Sequence, residues 1–141
     1  MRFWDASALV PLLVEEPRTP LLADRMREDP AAAVWWLTPV ECMSAVARMV
    51  REERLTVAQG RASSRLLDDV SRQWTEVPPL DRVRDQARRL LGLHSLRAAD
   101  ALQLAAALVL CDFESRTLPF VTLDTQLGAA AEREGFDVLT A

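Results

Sequence analysis

Leu96-Arg97-Ala98-Ala99-Asp100-Ala101-Leu102-Gln103-Leu104-Ala105-Ala106-Ala107-Leu108 is the strongest helix signal in the chain. Alanine and leucine dominate it, and both are strong helix formers. It is apolar nearly all round, so as a helix it must be buried among other elements rather than lie on a surface. One carboxylate, Asp100, interrupts it. An ionised acid in an apolar setting must be paired, metal-bound or neutralised. The pattern places the helix at about 95–110, with Ser95 as its N-cap and Asp100 well inside. Capping therefore does not account for Asp100. An ion pair with Arg97, one turn earlier, is the plain alternative to a functional role.

The rest of the chain has to supply elements for this helix to pack on. Its 141 residues set one domain, 1–141, as the default. Hydrophobic residues make up 50% and charged residues 27%, which suits a globular core and argues against disorder. A net charge of -4 provides no overall basic footprint for nucleic acid, so any such contact must come from a local patch. Cys42 and Cys111 lie far apart with no metal-type spacing, and are expected as free thiols in a reducing cytosol. No signal-type N-terminus and no apolar run of roughly 18 residues occurs, so a cytoplasmic location with no membrane contact is expected.

Residues that are missing also narrow the chemistry. The chain has no lysine, so a P-loop lysine and Schiff-base catalysis are excluded. Its single histidine, His94, rules out a histidine pair or a histidine metal cage. Catalysis would fall mostly to carboxylates.

In chain order, Arg2-Phe3-Trp4-Asp5 predicts a first strand and 6–14 a helix weakened by Pro11. Residues 19–28 predict a second helix with Thr19 as N-cap and Pro20 at its first position. The continuous apolar run 33–37 predicts a strand covered on both faces. Thr38-Pro39-Val40-Glu41 opens a helix to about Arg54, with Thr38 as N-cap and Glu41 as its capping-box partner. Helices at 56–72 and 80–91 flank a weak strand at 73–77, and Gly92 stops the second of them. A loop at 111–118, a strand at 119–122, a helix at 124–134 ended by Gly135, and a strand at 136–139 complete the chain. Strands alternating with helices throughout predict a parallel α/β sheet of four to five strands with helices on both faces. In such sheets the site lies beyond the carboxyl ends of the strands, where the strand order reverses.

Asp5, Glu41 and Asp124 each fall just past the end of a predicted strand. If the first and fourth strands are neighbours, the three acids share one rim, and the Asp100 helix can add a fourth. Each of the first three also has a capping explanation. Four acids on one rim repel one another and resist burial. A hard divalent cation with oxygen ligands, Mg²⁺ or Mn²⁺, removes both penalties.

Trp4-Asp5-Ala6-Ser7-Ala8-Leu9-Val10, Thr38-Pro39-Val40-Glu41, the Leu96–Ala107 run and Val121-Thr122-Leu123-Asp124, in this order, resemble a PIN domain. More narrowly they resemble VapC-type toxins of bacterial toxin–antitoxin pairs, over nearly the whole chain. The resemblance implies a three-layer PIN-like fold and a Mg²⁺- or Mn²⁺-dependent endoribonuclease. It also implies a homodimer held inactive by a cognate antitoxin. Carried over by motif, the catalytic acids are Asp5, Glu41, Asp100 and Asp124. Asp5, Asp100 and Asp124 are the metal ligands, Glu41 binds metal or orients water, and Ser7 and Thr122 are supporting polar groups. Gln103 departs from the pattern, since relatives commonly carry histidine there.

An RNA substrate needs cations as well. Arg48, Arg51 and Arg54 recur at a spacing of three after Glu41, and Arg82, Arg84, Arg88 and Arg89 crowd another helix. Solvated faces explain most of them, whereas Arg97, beside the proposed site, is a candidate phosphate or partner contact. Trp35 and Trp36 read as core, His94 as a surface residue, and Glu15-Glu16 as a solvated turn. A PIN-fold nuclease working without an antitoxin, and a non-catalytic Mg²⁺-binding receiver-like module, are the competing readings.

Overall fold

The computed structural model describes residues 1–140. Its elements are β1 (Arg2–Trp4), α1 (Ala6–Leu13), α2 (Thr19–Glu28), β2 (Ala32–Trp35), α3 (Thr38–Arg51), α4 (Val57–Ser71) and β3 (Thr75–Val77). There follow α5 (Asp81–Leu93), α6 (Ala98–Leu110), a single 3₁₀ turn (Ser115–Thr117), β4 (Phe120–Val121), α7 (Thr125–Arg133) and β5 (Val138–Leu139). The five strands form one sheet in the order β3-β2-β1-β4-β5, and every pairing is parallel. Helices cover both faces, which is the three-layer, PIN-like α/β architecture expected from the alternation of strands and helices.

The two-residue period of the strands divides the core in two. Phe3, Ala33, Trp35 and Phe120 point to one face and pack with α5, α6 and α7. Trp4, Ala32, Val34 and Val121 point to the other and pack with α1 to α4. Phe3 stacks on Phe120 with ring centroids 5.2 Å apart, across the register pair that joins β1 to β4. The chain builds outward from β1 through β2 to β3, then crosses back to place β4 on the other side of β1. The strand order therefore reverses between β1 and β4, which puts the topological switch point at Asp5 and at the residues that follow Val121.

Helix α6 is buried nearly all round, from Ala101 through Val109, as its composition requires. It lies against α5, α7, β2 and β3. Four of its buried residues, Ala101, Ala105, Ala106 and Ala107, are fully covered alanines, and their small side chains let the helix pack closely among its neighbours.

Several helix boundaries differ from the sequence expectation. α6 begins at Ala98 with Arg97 as N-cap, not Ser95, so Asp100 lies in its first turn rather than its interior. Leu37 and Arg18, not Thr38 and Thr19, occupy the cap positions of α3 and α2. Thr19 instead uses its hydroxyl to accept from the Glu16 N–H and donate to the Pro11 carbonyl, tying α2 to the end of α1. Gly92 stays helical within α5, which ends at His94 in extended backbone. Gly135 does end α7, with φ 93 and its N–H on the Glu132 carbonyl. Trp36, expected in the core, is 50% exposed because β2 ends one residue earlier; Trp35 is buried as expected.

Ala106→Leu should cost about 1–3 kcal/mol by overpacking the surroundings of α6, where Ala106 is fully buried. Ala98→Leu, on the exposed first position of α6, should stay within about 0.5 kcal/mol of the parent. Urea unfolding followed by circular dichroism distinguishes the two; equal stability of both variants would contradict this packing.

Candidate active site

Asp5 follows β1 directly and is the N-cap of α1, with its backbone N–H on the Val121 carbonyl of β4. Its carboxylate is 3% exposed. Oδ1 accepts from the Ser7 N–H, and Oδ2 accepts from both the Ser7 and Thr122 hydroxyls. The same two hydroxyls accept from the chain beyond β4, Ser7 Oγ from the Leu123 N–H at 2.8 Å and Thr122 Oγ1 from the Asp124 N–H at 3.0 Å. Ser7 and Thr122 thus tie the end of β1 to the β4–α7 turn through one buried carboxylate.

Asp124 is the N-cap of α7, its Oδ1 accepting from the Leu127 N–H at 2.8 Å. Glu41 lies in the first turn of α3, but it makes no capping box with Thr38. Its Oε1 accepts instead from the Gln103 amide at 3.1 Å. The same amide nitrogen reaches the Thr38 hydroxyl at 3.1 Å. Gln103 is 1% exposed. It belongs to the helix layer on one face of the sheet and α3 to the layer on the other, so these bonds bridge the two layers beside β2. Sequence reading noted Gln103 only as a departure from a family pattern. Its signal was present in the spacing: an amide three residues after Asp100 shares that helix face.

Each of the four acids therefore sits at the N-terminus of a helix, α1, α3, α6 or α7. Unpaired N–H groups and the macrodipole favour negative charge there, by about 0.3–1 kcal/mol per site. Burial works in the opposite direction and prevails. It pushes the Asp5 carboxyl up to about 6, against the Thr122 and Ser7 hydrogen bonds, with the Asp124 charge adding to the rise. It pushes Glu41 up to about 7, against the Gln103 bond, with the charges of Asp5 and Asp100 contributing. Asp100 is raised by burial and by Asp124, with the Arg97 charge opposing. The repulsions close a ring, from Asp5 to Asp124 to Asp100 to Glu41 and back to Asp5. The four acids are one electrostatic group.

Arg97 is exposed and, among the described residues, forms no ion pair within 4 Å of Asp100; its charge and its backbone N–H both favour the ionised acid. Cys42, next to Glu41, is buried, and its thiol is pushed up to about 12 by burial and the nearby acids. His94 lies elsewhere and is not the surface residue expected. Its side chain is 7% exposed, with Nε2 2.8 Å from Glu134 Oε1, while Arg89 meets the other Glu134 oxygen at 2.7 Å. Glu15 is exposed and Glu16 half-buried, as a turn requires.

The donors at the rim are carboxylates and hydroxyls, the ligand type a hard divalent cation takes. Among the described residues, no three His, Cys, Asp or Glu side chains are gathered closely enough to hold a metal ion as they stand. The hydrogen bonds explain why. Asp5 uses both oxygens on hydroxyl and N–H donors, Glu41 is drawn to Gln103, and one Asp124 oxygen caps α7. The donor chemistry fits such an ion; the side chains would have to turn towards it.

Acids whose pKa is raised on folding hold protons more tightly when folded, so they favour the fold at low pH and lose that contribution as pH rises. For Asp5 and Glu41 the window runs from about 4 to about 7. The metal-free protein should accordingly melt several degrees higher at pH 5 than at pH 8, the reverse of ordinary acid destabilisation. Asp5→Asn should flatten that slope. A melting temperature that rises from pH 5 to pH 8 would show that the acids are not held in this way.

No protein-family model matches the chain, and no curated protein does. Solved structures do. PAE2754 from Pyrobaculum aerophilum is 26% identical, with a TM-score of 0.63, covering 99% of this chain and 87% of its own. FitAcB from Neisseria gonorrhoeae is 15% identical, with a TM-score of 0.67, covering 99% of this chain and 96% of its own. The chain shares the fold of both over nearly its whole length.

Proposed function

We propose that this chain is a metal-dependent endoribonuclease of the PIN-domain, VapC-like type. In this reading it works as a homodimeric toxin whose site a cognate antitoxin closes. The observation that carries the nuclease reading is the convergence of four acids, each on a helix N-terminus, at the topological switch point of a parallel sheet. Capping and the Asp5 clamp account for single acids, but stability gives no reason to bring four mutually repelling carboxylates to one rim. The choice of RNA, and of a toxin–antitoxin pair, rests on the resemblance of the Trp4–Val10, Thr38–Glu41, Leu96–Ala107 and Val121–Asp124 motifs. The fold these motifs imply is the one the chain shares with the two solved structures.

Asp5, Asp100 and Asp124 would hold Mg²⁺ or Mn²⁺. Such an ion, when bound, supplies charge to offset the phosphate and lowers the pKa of its water. The rest of the work falls to the chain. Gln103 holds Oε1 of Glu41 and leaves Oε2 to meet a water. A carboxyl near pKa 7 suits a group that orients that water and takes its proton as it attacks phosphorus. Ser7 and Thr122 keep Asp5 fixed between the ends of β1 and β4. Arg97, exposed at the start of α6, is available to a phosphate. A receiver-like Mg²⁺ module also gathers acids at such a rim, but it needs a lysine beside them, and the chain has none.

Incubation with single-stranded RNA in Mg²⁺, with EDTA and the Asp100→Asn variant as controls, tests the reading. The parent should cut RNA only with metal. Asp100→Asn should fold as the parent does and cut at least about 100-fold more slowly, as expected when a transition-state charge contact is lost. Cleavage at the parent rate by that variant, or in EDTA, would refute it.

A further inference from the structure

A cavity of about 370 Å³ adjoins the acid group, and Asp124 lies on its wall. Thr125 and Glu132 of α7, the end of β5 and Arg18 of the turn before α2 complete it. That volume is in the range of small-ligand sites, roughly 300–1,000 Å³. The two charged side chains that line it away from Asp124 are of opposite sign, and among the described residues neither is in an ion pair. The wall is also fixed in place. Thr140, on one side of it, accepts at its carbonyl from Arg25 of α2 at 2.9 Å.

Resting on the nuclease reading, we propose that this cavity is a base-recognition subsite for the nucleotide next to the bond that is cut, and that the base it takes is guanine. A phosphate is a poor occupant, because Asp124 and Glu132 give the lining a net negative charge. A base suits it better. The apolar walls, from Leu123, Ala129 and Val138, accept a ring. The Glu132 carboxylate accepts only, and guanine alone among the four bases presents two adjacent donors, N1–H and N2–H₂, to a carboxylate. The Arg18 guanidinium donates only, and guanine O6 and N7 are the acceptor pair that arginine contacts bidentately. Uracil has no amine to offer, and cytosine and adenine lack the matching acceptor pair. Because Asp124 belongs both to the acid group and to this wall, a guanine seated here places its own phosphate linkage beside the acids.

The test uses the whole chain carrying Asp100→Asn, so that RNA is bound and not consumed. Fluorescence anisotropy measures its affinity for labelled uridine heptamers that contain one guanine, one inosine or none. The guanine heptamer should bind roughly tenfold more tightly than the all-uridine one, as a good bidentate contact provides. Inosine, which lacks the N2 amine, should lose much of that gain. Glu132→Ala and Arg18→Ala should each abolish the preference, while Arg82→Ala, on the exposed face of α5, should keep it. If the protein binds all heptamers equally, or if Glu132→Ala and Arg18→Ala retain the guanine preference, the subsite is disproved and the nuclease reading stands. If the Asp100→Asn chain binds no RNA and the parent chain cuts none, both fail.

Discussion

A single buried carboxylate holds the working end of this fold together. Asp5 ends the central strand, caps the first helix, and takes hydroxyl bonds from Ser7 and Thr122, which in turn receive the backbone of the β4–α7 turn. The crossover from the β1–β2–β3 half of the sheet to β4 and β5 is thereby locked at the point where the strand order reverses. Removing the carboxylate would leave two hydroxyls and the Ser7 backbone N–H to find new partners, and an unsatisfied buried polar group costs about 1–3 kcal/mol. The Phe3–Phe120 stack on the opposite side of the same strand pair sets the register that makes this possible.

Around this clamp the molecule holds more negative charge than stability favours. Four helix N-termini and a buried amide work to keep the acids ionised, while burial and mutual repulsion work against them. Repulsion and burial prevail at Asp5 and Glu41, whose protons leave only near pH 6 and 7. Strain of this kind collects at functional sites, where a ligand can relieve it. The apolar parts of the fold show no comparable tension. Both cores alternate regularly along the strands, and the alanines of α6 are fully buried among its neighbours.

The layers were legible in the sequence because they depend on periodicity. The apolar run at 33–37, the amphipathic helices and the Leu96–Leu108 stretch each specify burial locally, and burial on both faces of every strand admits few arrangements. The positions of Asp5, Glu41 and Asp124 after strands followed from the same pattern. What escaped was decided by tertiary contacts. Asp100 read as an interior helix residue because Ser95 is a good cap by composition, yet Arg97 takes the cap position and Asp100 falls in the first turn. Thr38 and Glu41 match a capping box, yet both turn to Gln103 from the opposite helix layer. The covered His94 ring meets Glu134, forty residues away in sequence, at its Nε2. No local propensity encodes such pairings.

The acids form one charge-coupled group, which the titration of their side-chain carboxyl carbons by NMR measures directly. Asp5 should titrate with a midpoint near 6 and Glu41 near 7, and Asp100→Asn should lower the Glu41 midpoint by removing a neighbouring charge. Midpoints at the ordinary values of 3.8 and 4.5, unmoved by that substitution, would show that the acids are independent and solvated, and would contradict the account.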